Sequence, residues 1–321
     1  MNEICCMGEV LIDFTPAGIS ENGNTLFERN PGGGPANVAV AASVLGAPAM
    51  FMGKVGNDEF GRFLERTLKD RNVDTSGLVH DFDSNTTLAF VQLDKNGNRS
   101  FSFYRSPGAD MMYSEADIDY GIIDRCGILH FSTVSMTQEP SRTATRKVVE
   151  YAREKGRIIS FDPNLRELLW DSLEEAKTVI SSMLQYADIL KISKEELEFL
   201  TGKDDVEEAT EEIFNKGIGL IFSTLGPDGC YYRHRNGRGH LQTYNTKVVD
   251  TTGSGDAFAG AVLYKTHMLD KHPSILGNGE LYEIADFANA AGACAATGKG
   301  AIPSMPGLEQ IEKCRRTTPL L

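Results

Sequence analysis

The sequence predicts a three-layer α/β/α fold with a mostly parallel, Rossmann-like sheet and a second, small β-sheet. Buried apolar runs of strand length alternate with stretches of helical periodicity, which is typical of parallel α/β sheets. The dipeptide Asn96-Gly97 lies between two extended runs and predicts a hairpin. A chain of 321 residues suits one large domain or two smaller ones.

The composition limits the classes of partner. The chain has 32 basic and 45 acidic residues and a net charge of −13, which argues against nucleic acid and against an anionic membrane surface. No apolar run approaches the roughly 20 residues of a membrane span. The first residues have no basic stretch of the kind that marks a signal peptide. Six scattered cysteines without a Cys-x-x-Cys pair indicate buried free thiols and a cytoplasmic location, and they argue against a zinc site.

The first apolar run, 4–10, predicts a buried strand with Asp13 near its far end. Asp13 interrupts the apolar pattern where parallel α/β sheets place ligand groups. It is therefore either a ligand contact or a polar residue that faces solvent.

A glycine-rich loop follows at 30–37. Gly33 and Gly34 expose backbone N–H groups, and Pro35 favours the start of a helix. The carboxamide of Asn37 beside bare backbone suits polyol hydroxyls, which need donors and acceptors together. The alternative is a tight loop that leads into a core helix. The next helix is expected to begin at Asp58 as its cap.

Polar residues follow two of the strands predicted in the second half of the chain. Pro163 stops one strand where Asp162 emerges, so Asp162, Asn164 and Arg166 could face one cleft. Alternatively, Arg166 forms an ion pair with Asp162. His130, on the preceding strand, is expected to be a strand-end or core residue.

The next two strands also end in polar residues. Ser193 and Glu196 form the pattern of a capping box at the start of a helix. Lys191 is either a contact to phosphate or a solvated lysine. Further on, Pro227-Asp228-Gly229 follows a strand and predicts a turn between two hairpin strands.

The most informative stretch is 248–260, where an extended run leads through Thr-Thr-Gly-Ser-Gly into small residues at helical spacing. Backbone N–H groups of Gly253, Ser254 and Gly255 are placed at a helix N-terminus, which attracts anions. Asp256 either complements the helix dipole or takes a proton from an attacking hydroxyl. The chain has no P-loop motif, and the third glycine of a dinucleotide-binding motif is missing.

The string from Asp250 to Gly260 resembles the C-terminal signature of the ribokinase-like (pfkB) carbohydrate kinases. The glycine loop at 30–37 resembles the family's N-terminal signature, and the segments 101–110 and 162–166 look like those of fructokinases. The similarity runs over about 4–306. It implies a single ribokinase-like domain over 1–321, with a discontinuous β lid from about 13–30 and 86–106.

The resemblance also implies roles for individual residues. Asp256 would be the catalytic base, and Gly253, Ser254 and Gly255 the anion hole. A further set would contact the sugar: Asp13, Gly33, Gly34, Asn37, Arg105 and Arg166. Arg105 could equally be a solvated charge of the lid.

Nucleotide and metal contacts are implied in the same way. The set expected on ATP is Lys191, Ser193, Thr224, Gly226, Gly229 and Asn289. Glu196 would help to hold Mg²⁺ through water. Asp250, Thr252 and Ser304 lie in segments that would cage a monovalent cation, K⁺.

The resulting expectation is ATP-dependent phosphorylation of a primary hydroxyl, with fructose as the first substrate and fructose 6-phosphate as the product. Other substrates of the same family remain open, namely 2-keto-3-deoxygluconate, ribose and a nucleoside such as aminoimidazole riboside. A non-catalytic sugar or nucleotide sensor is the alternative from a different class. An exposed edge of the lid sheet would favour a homodimer.

Overall fold

The computed structural model describes residues 3–93 and 99–321. Thirteen strands and ten α-helices lie within these ranges. The strands are β1 (Glu3–Met7), β2 (Leu11–Ile19), β3 (Thr25–Gly32), β4 (Ala49–Gly56), β5 (Val73–Asp81), β6 (Leu88–Leu93), β7 (Arg99–Tyr104), β8 (Cys126–Ser132), β9 (Ile158–Asp162), β10 (Ile189–Ser193), β11 (Leu220–Thr224), β12 (Cys230–His234) and β13 (Gly237–Leu241). The helices are α1 (Gly34–Val44), α2 (Glu59–Asp70), α3 (Tyr120–Arg125), α4 (Ser141–Glu154), α5 (Leu173–Met183), α6 (Lys194–Thr201), α7 (Val206–Phe214), α8 (Ser254–Leu269), α9 (Asn278–Ala295) and α10 (Leu308–Thr317).

The larger sheet has the order β13-β12-β11-β10-β9-β8-β1-β4-β5. Its strands run parallel except for β12 and β13, which continue from β11 as an antiparallel meander. Alternate residues of β1 enter opposite cores, with Ile4 and Cys6 on one side and Cys5 and Met7 on the other. Helices α1, α2, α8, α9 and α10 cover the first face, and α3 to α7 cover the second. The predicted three-layer, mostly parallel fold is confirmed.

The smaller sheet has the order β3-β2-β6-β7 and is built from two separate parts of the chain. Strands β6 and β7 are antiparallel, with Leu93 opposite Arg99, as the hairpin signal predicted. The predicted turn residues themselves lie outside the described residues. Strand β2 joins this hairpin to β3, because it pairs with β6 on one side and with β3 on the other.

The expectation that the opening strand leads to Asp13 is wrong. Strand β1 ends at Met7, and the chain turns at Gly8, whose φ is 149°. A Cβ on Gly8 would lie 2.6 Å from Cγ of Pro35, so the turn needs glycine where it packs on the start of α1. Asp13 therefore lies on β2 of the small sheet, opposite Asn30.

Several polar side chains meet at the carboxyl edge of the large sheet. Asp162, Ser193 and Thr224 are the last residues of three adjacent parallel strands, β9, β10 and β11. This edge is the usual place for ligands in open α/β sheets. The Ser193–Glu196 capping box and the Asp58 cap are both present as predicted.

All six cysteines are buried and free, in agreement with the sequence prediction. Within the part of the chain that the structure describes, no helix has the length and apolar character needed to cross a bilayer.

Helices α1 and α8 approach each other at Gly260. A Cβ on Gly260 would lie 2.4 Å from Cβ of Ala41 and 3.1 Å from the carbonyl oxygen of Val38. Replacing Gly260 by alanine should therefore push the two helices apart and lower the free energy of unfolding by about 1–3 kcal/mol. Chemical denaturation measures this change.

Gly279→Ala is the matched control. A Cβ on Gly279, in the first turn of α9, would meet nothing within 4 Å. This variant should stay within about 1 kcal/mol of the wild type. Equal stability of the two variants would contradict the close crossing at Gly260.

Candidate active site

Asp256 and Asn37 bring the two glycine-rich stretches of the sequence together. Asp256 lies in the first turn of α8, and its Oδ2 accepts a hydrogen bond of 2.8 Å from Nδ2 of Asn37 in α1. The two residues are 219 positions apart in the chain. The contact therefore depends on the tertiary fold, which brings the two predicted motifs together.

The turn before α8 depends on Gly253. Its φ of 80° is left-handed, and a Cβ there would lie 2.7 Å from Cβ of Ala301. The N–H of Ser254 donates to the carbonyl of Thr251 at 3.1 Å, so this amide already has an acceptor. Gly255 and Asp256 follow in the first turn, where N–H groups have no partner inside the helix. They are the amides best placed to receive an anion.

Two buried polar atoms at this site have no hydrogen-bond partner among residues 3–93 and 99–321. They are Oδ1 of Asn37 and Oγ of Ser254. Buried polar groups are rarely left unpaired, because each loses its hydrogen bonds to water on folding. Together with the first-turn amides, they provide one acceptor and one hydroxyl for a polar ligand.

Asp13 lies near enough to Asp256 for the charge of Asp256 to act on the pKa of Asp13. Burial raises the pKa of Asp13 to about 6; Arg166 lowers it, and Asp256 and Asp250 raise it further. The pKa of Asp256 is also raised to about 6, chiefly by burial, with opposing effects from Lys191 and Asn37. Both carboxyl groups are thus more basic than an ordinary aspartate but still largely ionised at neutral pH.

The glycine loop is held by a carboxylate that the sequence analysis missed. Oε1 of Glu9 accepts a 2.8 Å hydrogen bond from the N–H of Gly34, the first residue of α1. Burial raises the pKa of Glu9 to about 7. A Cβ on Gly34 would lie 2.2 Å from Nδ2 of Asn164, which explains the glycine at this position. The signal that could have revealed Glu9 is an acidic residue inside an apolar run, as in Glu9-Val10-Leu11.

Asp162 pairs with Lys191 and not with Arg166. Nζ of Lys191 donates to Oδ2 of Asp162 at 2.9 Å, whereas Arg166 is exposed and its Nη1 donates to the carbonyl of Leu165. The predicted alternative of an Asp162–Arg166 ion pair is therefore wrong. Arg166 still lowers the pKa of both Asp13 and Asp256, so its charge acts on the site.

Glu196 is fixed by backbone donors. Its two oxygens accept from the N–H groups of Leu165 and Ser193, at 2.7 and 2.8 Å. The pKa of Glu196 is raised by burial and by the neighbouring Asp162, against the effect of Lys191. Glu196 thus holds the loop that follows β9 against the start of α6, next to a second carboxylate.

Arg105 is not the solvated lid charge that was considered as an alternative. It is buried, and its Nε donates to Oδ2 of Asp110 at 2.8 Å. Its other nitrogens donate to Oγ1 of Thr137 and to the carbonyl of Val134. Thr87 also donates to Asp110, so the residue before β6 and the residue after β7 are held by the same carboxylate. The expected contact between Arg105 and a substrate stays a prediction.

Three of the residues expected on ATP, Thr224, Gly226 and Gly229, lie at the β11–β12 turn. Thr224 ends β11, and Gly226 adopts a φ of 59° with open space where a Cβ would be. A Cβ on Gly229 would lie 2.0 Å from the carbonyl oxygen of Leu241. Nδ2 of Asn289 donates to the same carbonyl at 3.3 Å. Gly229 and Asn289 therefore shape the chain at the end of β13.

Asp250 joins the two segments expected to cage a monovalent cation. Its Oδ1 accepts from the hydroxyl of Thr252 at 2.7 Å, and its Oδ2 accepts from the N–H of Gly300 at 3.0 Å. Oγ of Ser304 donates to the carbonyl of Ala301 at 3.0 Å. These bonds hold the loop before α8 against the loop after α9.

Comparison with known proteins gives a matching family and a similar relative. The chain matches the family described as pfkB family carbohydrate kinase over residues 1–308. It is 46% identical to Fructokinase-1 of Oryza sativa subsp. japonica over 313 residues, which cover 97% of this chain and 96% of that protein.

Solved structures are similar over nearly the whole length. A fructokinase with bound ATP from Xylella fastidiosa has a TM-score of 0.91 and 32% identity, and the match covers 98% of each chain. A fructokinase double mutant from Vibrio cholerae O395, with fructose, ADP and potassium ion bound, has a TM-score of 0.88 and 34% identity, again over 98% of each chain.

Asn37→Ala should raise the pKa of Asp256 above about 6, because the substitution removes a donor that stabilises the carboxylate. Carboxyl ¹³C NMR titration measures the shift. Asn30→Ala is the matched control, since the Asn30 amide donates to Thr15 and not to Asp256. An unchanged Asp256 titration in Asn37→Ala would contradict the hydrogen bond.

Proposed function

Since this chain belongs to the pfkB family of carbohydrate kinases, we propose that it transfers the γ-phosphoryl group of ATP to the primary hydroxyl of fructose and forms fructose 6-phosphate. The observation that carries the proposal is the 2.8 Å hydrogen bond between Asn37 and Asp256. It joins a polyol-binding loop to a carboxylate beside free helix N–H groups. The fructokinases of rice, Xylella fastidiosa and Vibrio cholerae O395 support fructose as the sugar.

Sugar binding is assigned to the edge where the small sheet meets α1. Asp13 and Asn37 offer a carboxylate and a carboxamide, with the backbone of Gly33 beside them. Gly34 would fix this loop, because its N–H donates to Glu9. Asn37 keeps Oδ1 unpaired for a hydroxyl, while its Nδ2 is committed to Asp256. Arg166 would complete the site from the loop after β9. Hydroxyl groups need this mixture of donors and acceptors.

The chemical step is assigned to Asp256. Its carboxylate accepts the proton of the attacking hydroxyl, and a pKa of about 6 suits a base that works near neutral pH. The N–H groups of Gly255 and Asp256 in the first turn of α8 would hold the transferred group and its developing charge. Gly253 would shape this turn, and Ser254 would contribute its unpaired hydroxyl, because its N–H already donates to Thr251. ATP would lie along Thr224, Gly226, Gly229 and Asn289, with Lys191 and Ser193 at its phosphate end.

The residues present fit Mg²⁺ that arrives with ATP. The described residues contain no group of three or more His, Cys, Asp or Glu that could hold a metal alone. Mg²⁺ usually binds through substrate phosphates, waters and one or two carboxylates. The adjacent Asp162 and Glu196 would provide the carboxylates. When bound, Mg²⁺ neutralises charge on the phosphates. A K⁺ ion is assigned between the loops that Asp250 joins, near Thr252 and Ser304.

The small sheet would act as a lid of the single domain over 1–321, with parts at about 13–30 and 86–106. A closed lid excludes water from the phosphoryl group. We assign the protein to the cytoplasm, where its six free thiols would stay reduced.

Asp256→Asn should abolish most turnover of fructose, by about 10²-fold or more in kcat, because the base is lost. The folded-state pKa of Asp256 lies above that of an unfolded aspartate, so its ionisation destabilises the fold as pH rises through about 6. The variant should therefore melt at the same temperature as the wild type, or higher, at pH 7.5. A coupled ATP assay and calorimetry measure both effects.

Asp270→Asn is the control, because Asp270 ends the same helix far from the site and asparagine tolerates its φ of 49°. Full turnover in Asp256→Asn would remove Asp256 from the mechanism. Absence of wild-type turnover over fructose, ribose, 2-keto-3-deoxygluconate and nucleosides would favour the sensor alternative.

A homodimer through the lid is the proposed assembly. The lid face opposite Asp13 carries an aromatic row of Phe14, Phe27, Phe90 and Tyr104. Phe27 is 40% exposed and Tyr104 is 67% exposed. An exposed apolar patch of this kind commonly marks a protein–protein interface.

Tyr104→Glu should shift the dimer toward monomer, because it places a charge in the apolar contact. Phe82→Glu is the control, since Phe82 is 83% exposed but follows β5 of the large sheet. Sedimentation velocity measures the distribution. A monomeric wild type, or equal effects of the two variants, would contradict the lid interface.

A further inference from the structure

Residues 242–250 connect β13 to the turn before α8 and run along α9; we call them the connecting segment. Nδ2 of Asn289 donates to the carbonyl of Gln242 at 3.3 Å, and the hydroxyl of Tyr244 donates to Oδ1 of Asp286 at 2.7 Å. Tyr244 is buried. The connecting segment therefore leaves the neighbourhood of Asn289 at one end and enters the catalytic turn at the other.

The last three residues of the sequence, 319–321, form an antiparallel bridge with the connecting segment; we call them the terminal segment. The N–H of Asn245 donates to the carbonyl of Pro319 at 2.8 Å, and the N–H of Leu321 donates to the carbonyl of Thr243 at 2.9 Å. Leu321 is 52% exposed. The attachment thus uses backbone bonds at the protein surface, where local opening is least costly.

Helix α10 brings the terminal segment to this position. Nε of Arg315 in α10 donates to Oδ2 of Asp286 at 2.7 Å, and its Nη2 donates to Oε2 of Glu283 at 2.6 Å. Asp286 thus accepts hydrogen bonds from both Arg315 and Tyr244. One carboxylate of α9 therefore joins the connecting segment to the helix that carries the terminal segment.

The connecting segment also lies against the proposed nucleotide site. A Cβ on Gly229 would lie 2.0 Å from the carbonyl oxygen of Leu241 and 2.8 Å from the nitrogen of Thr243, so the β11–β12 turn packs directly on this stretch of chain. Asn289 follows Asp286 by three residues in α9, which places both on one side of the helix. A shift of the connecting segment would therefore move the surfaces that Gly229 and Asn289 present to a nucleotide.

We propose that the terminal segment, docked on the connecting segment, sets the affinity for nucleotide, with Leu321 and Tyr244 as positioning residues. The inference rests on the nucleotide site of the proposed function. When the terminal segment detaches, the connecting segment loses two backbone hydrogen bonds, and nucleotide binding must restore its order, which lowers the affinity. Because coupling between two sites is reciprocal, bound nucleotide in turn favours the docked terminal segment.

The first test compares two substitutions of one residue. Leu321→Pro and Leu321→Ala both remove the leucine side chain, but only proline removes the N–H that donates to Thr243. Leu321→Pro should weaken ADP and a non-hydrolysable ATP analogue alike, by about fivefold or more, with no change in the KM for fructose. Leu321→Ala should bind both nucleotides as the wild type does. Calorimetry without sugar measures the affinities, and equal affinities of the two variants would overturn the proposal.

Tyr244→Phe tests the same coupling from inside the fold, because it removes the hydroxyl that donates to Asp286 and keeps the ring. Tyr232→Phe is the matched control, since the Tyr232 hydroxyl donates to Oδ1 of Asn278 at 2.9 Å, at the start of the same helix. Tyr244→Phe should weaken ADP, and Tyr232→Phe should not. Equal weakening by both substitutions would contradict the positioning role of Tyr244.

Hydrogen exchange tests the reciprocal effect in the wild-type protein. ADP should slow the exchange of the Asn245 and Leu321 amides, whereas the Gly156 amide, bonded to the carbonyl of Arg153 after α4, should exchange at an unchanged rate. A bridge with a structural role alone would exchange equally with and without ADP, and that result would overturn this inference while the kinase function stands. Failure of the wild type to bind ADP in calorimetry would overturn both.

Discussion

The close contact between α1 and α8 is the constraint on which the site depends. Gly260 allows the two helices to approach, and the Asn37–Asp256 hydrogen bond spans their N-terminal ends. Each helix begins at a glycine with a positive φ, Gly33 or Gly253, so both starts expose bare backbone. The fold therefore brings the amides of the first turn of α8, the Asn37 carboxamide of α1 and one carboxylate to a single point, and neither helix forms the site alone.

Charge is distributed unevenly around that point. Burial raises the pKa of Glu9, Asp13 and Asp256, because the ionised carboxylate loses its hydration inside the protein. Backbone donors, Asn37 and Lys191 offset part of this effect. Such concentrations of perturbed carboxyl groups are typical of functional sites. A chain with a net charge of −13 can still attract a nucleotide, because helix N-termini and Lys191 provide local positive potential.

Local signals predicted much of this structure. The glycine turn before α8, the capping box at Ser193 and the paired strands β6 and β7 follow from short-range rules, and all are observed. Long-range pairings could not be predicted in the same way. The sequence did not decide whether Lys191 contacts phosphate or faces solvent, because its partner, Asp162, lies 29 residues away on another strand. Asp13 was placed on the wrong strand because the turn at Gly8 depends on packing against Pro35, which a local pattern does not contain.

The most direct test of the account is a crystal structure with fructose and a non-hydrolysable ATP analogue. We expect the primary hydroxyl of fructose within hydrogen-bond distance of the Asp256 carboxylate, roughly 2.6–3.2 Å, and the γ-phosphate against the N–H of Gly255. A sugar bound elsewhere, or a γ-phosphate that does not contact the first turn of α8, would contradict the convergence of base and anion hole on which the kinase assignment is built.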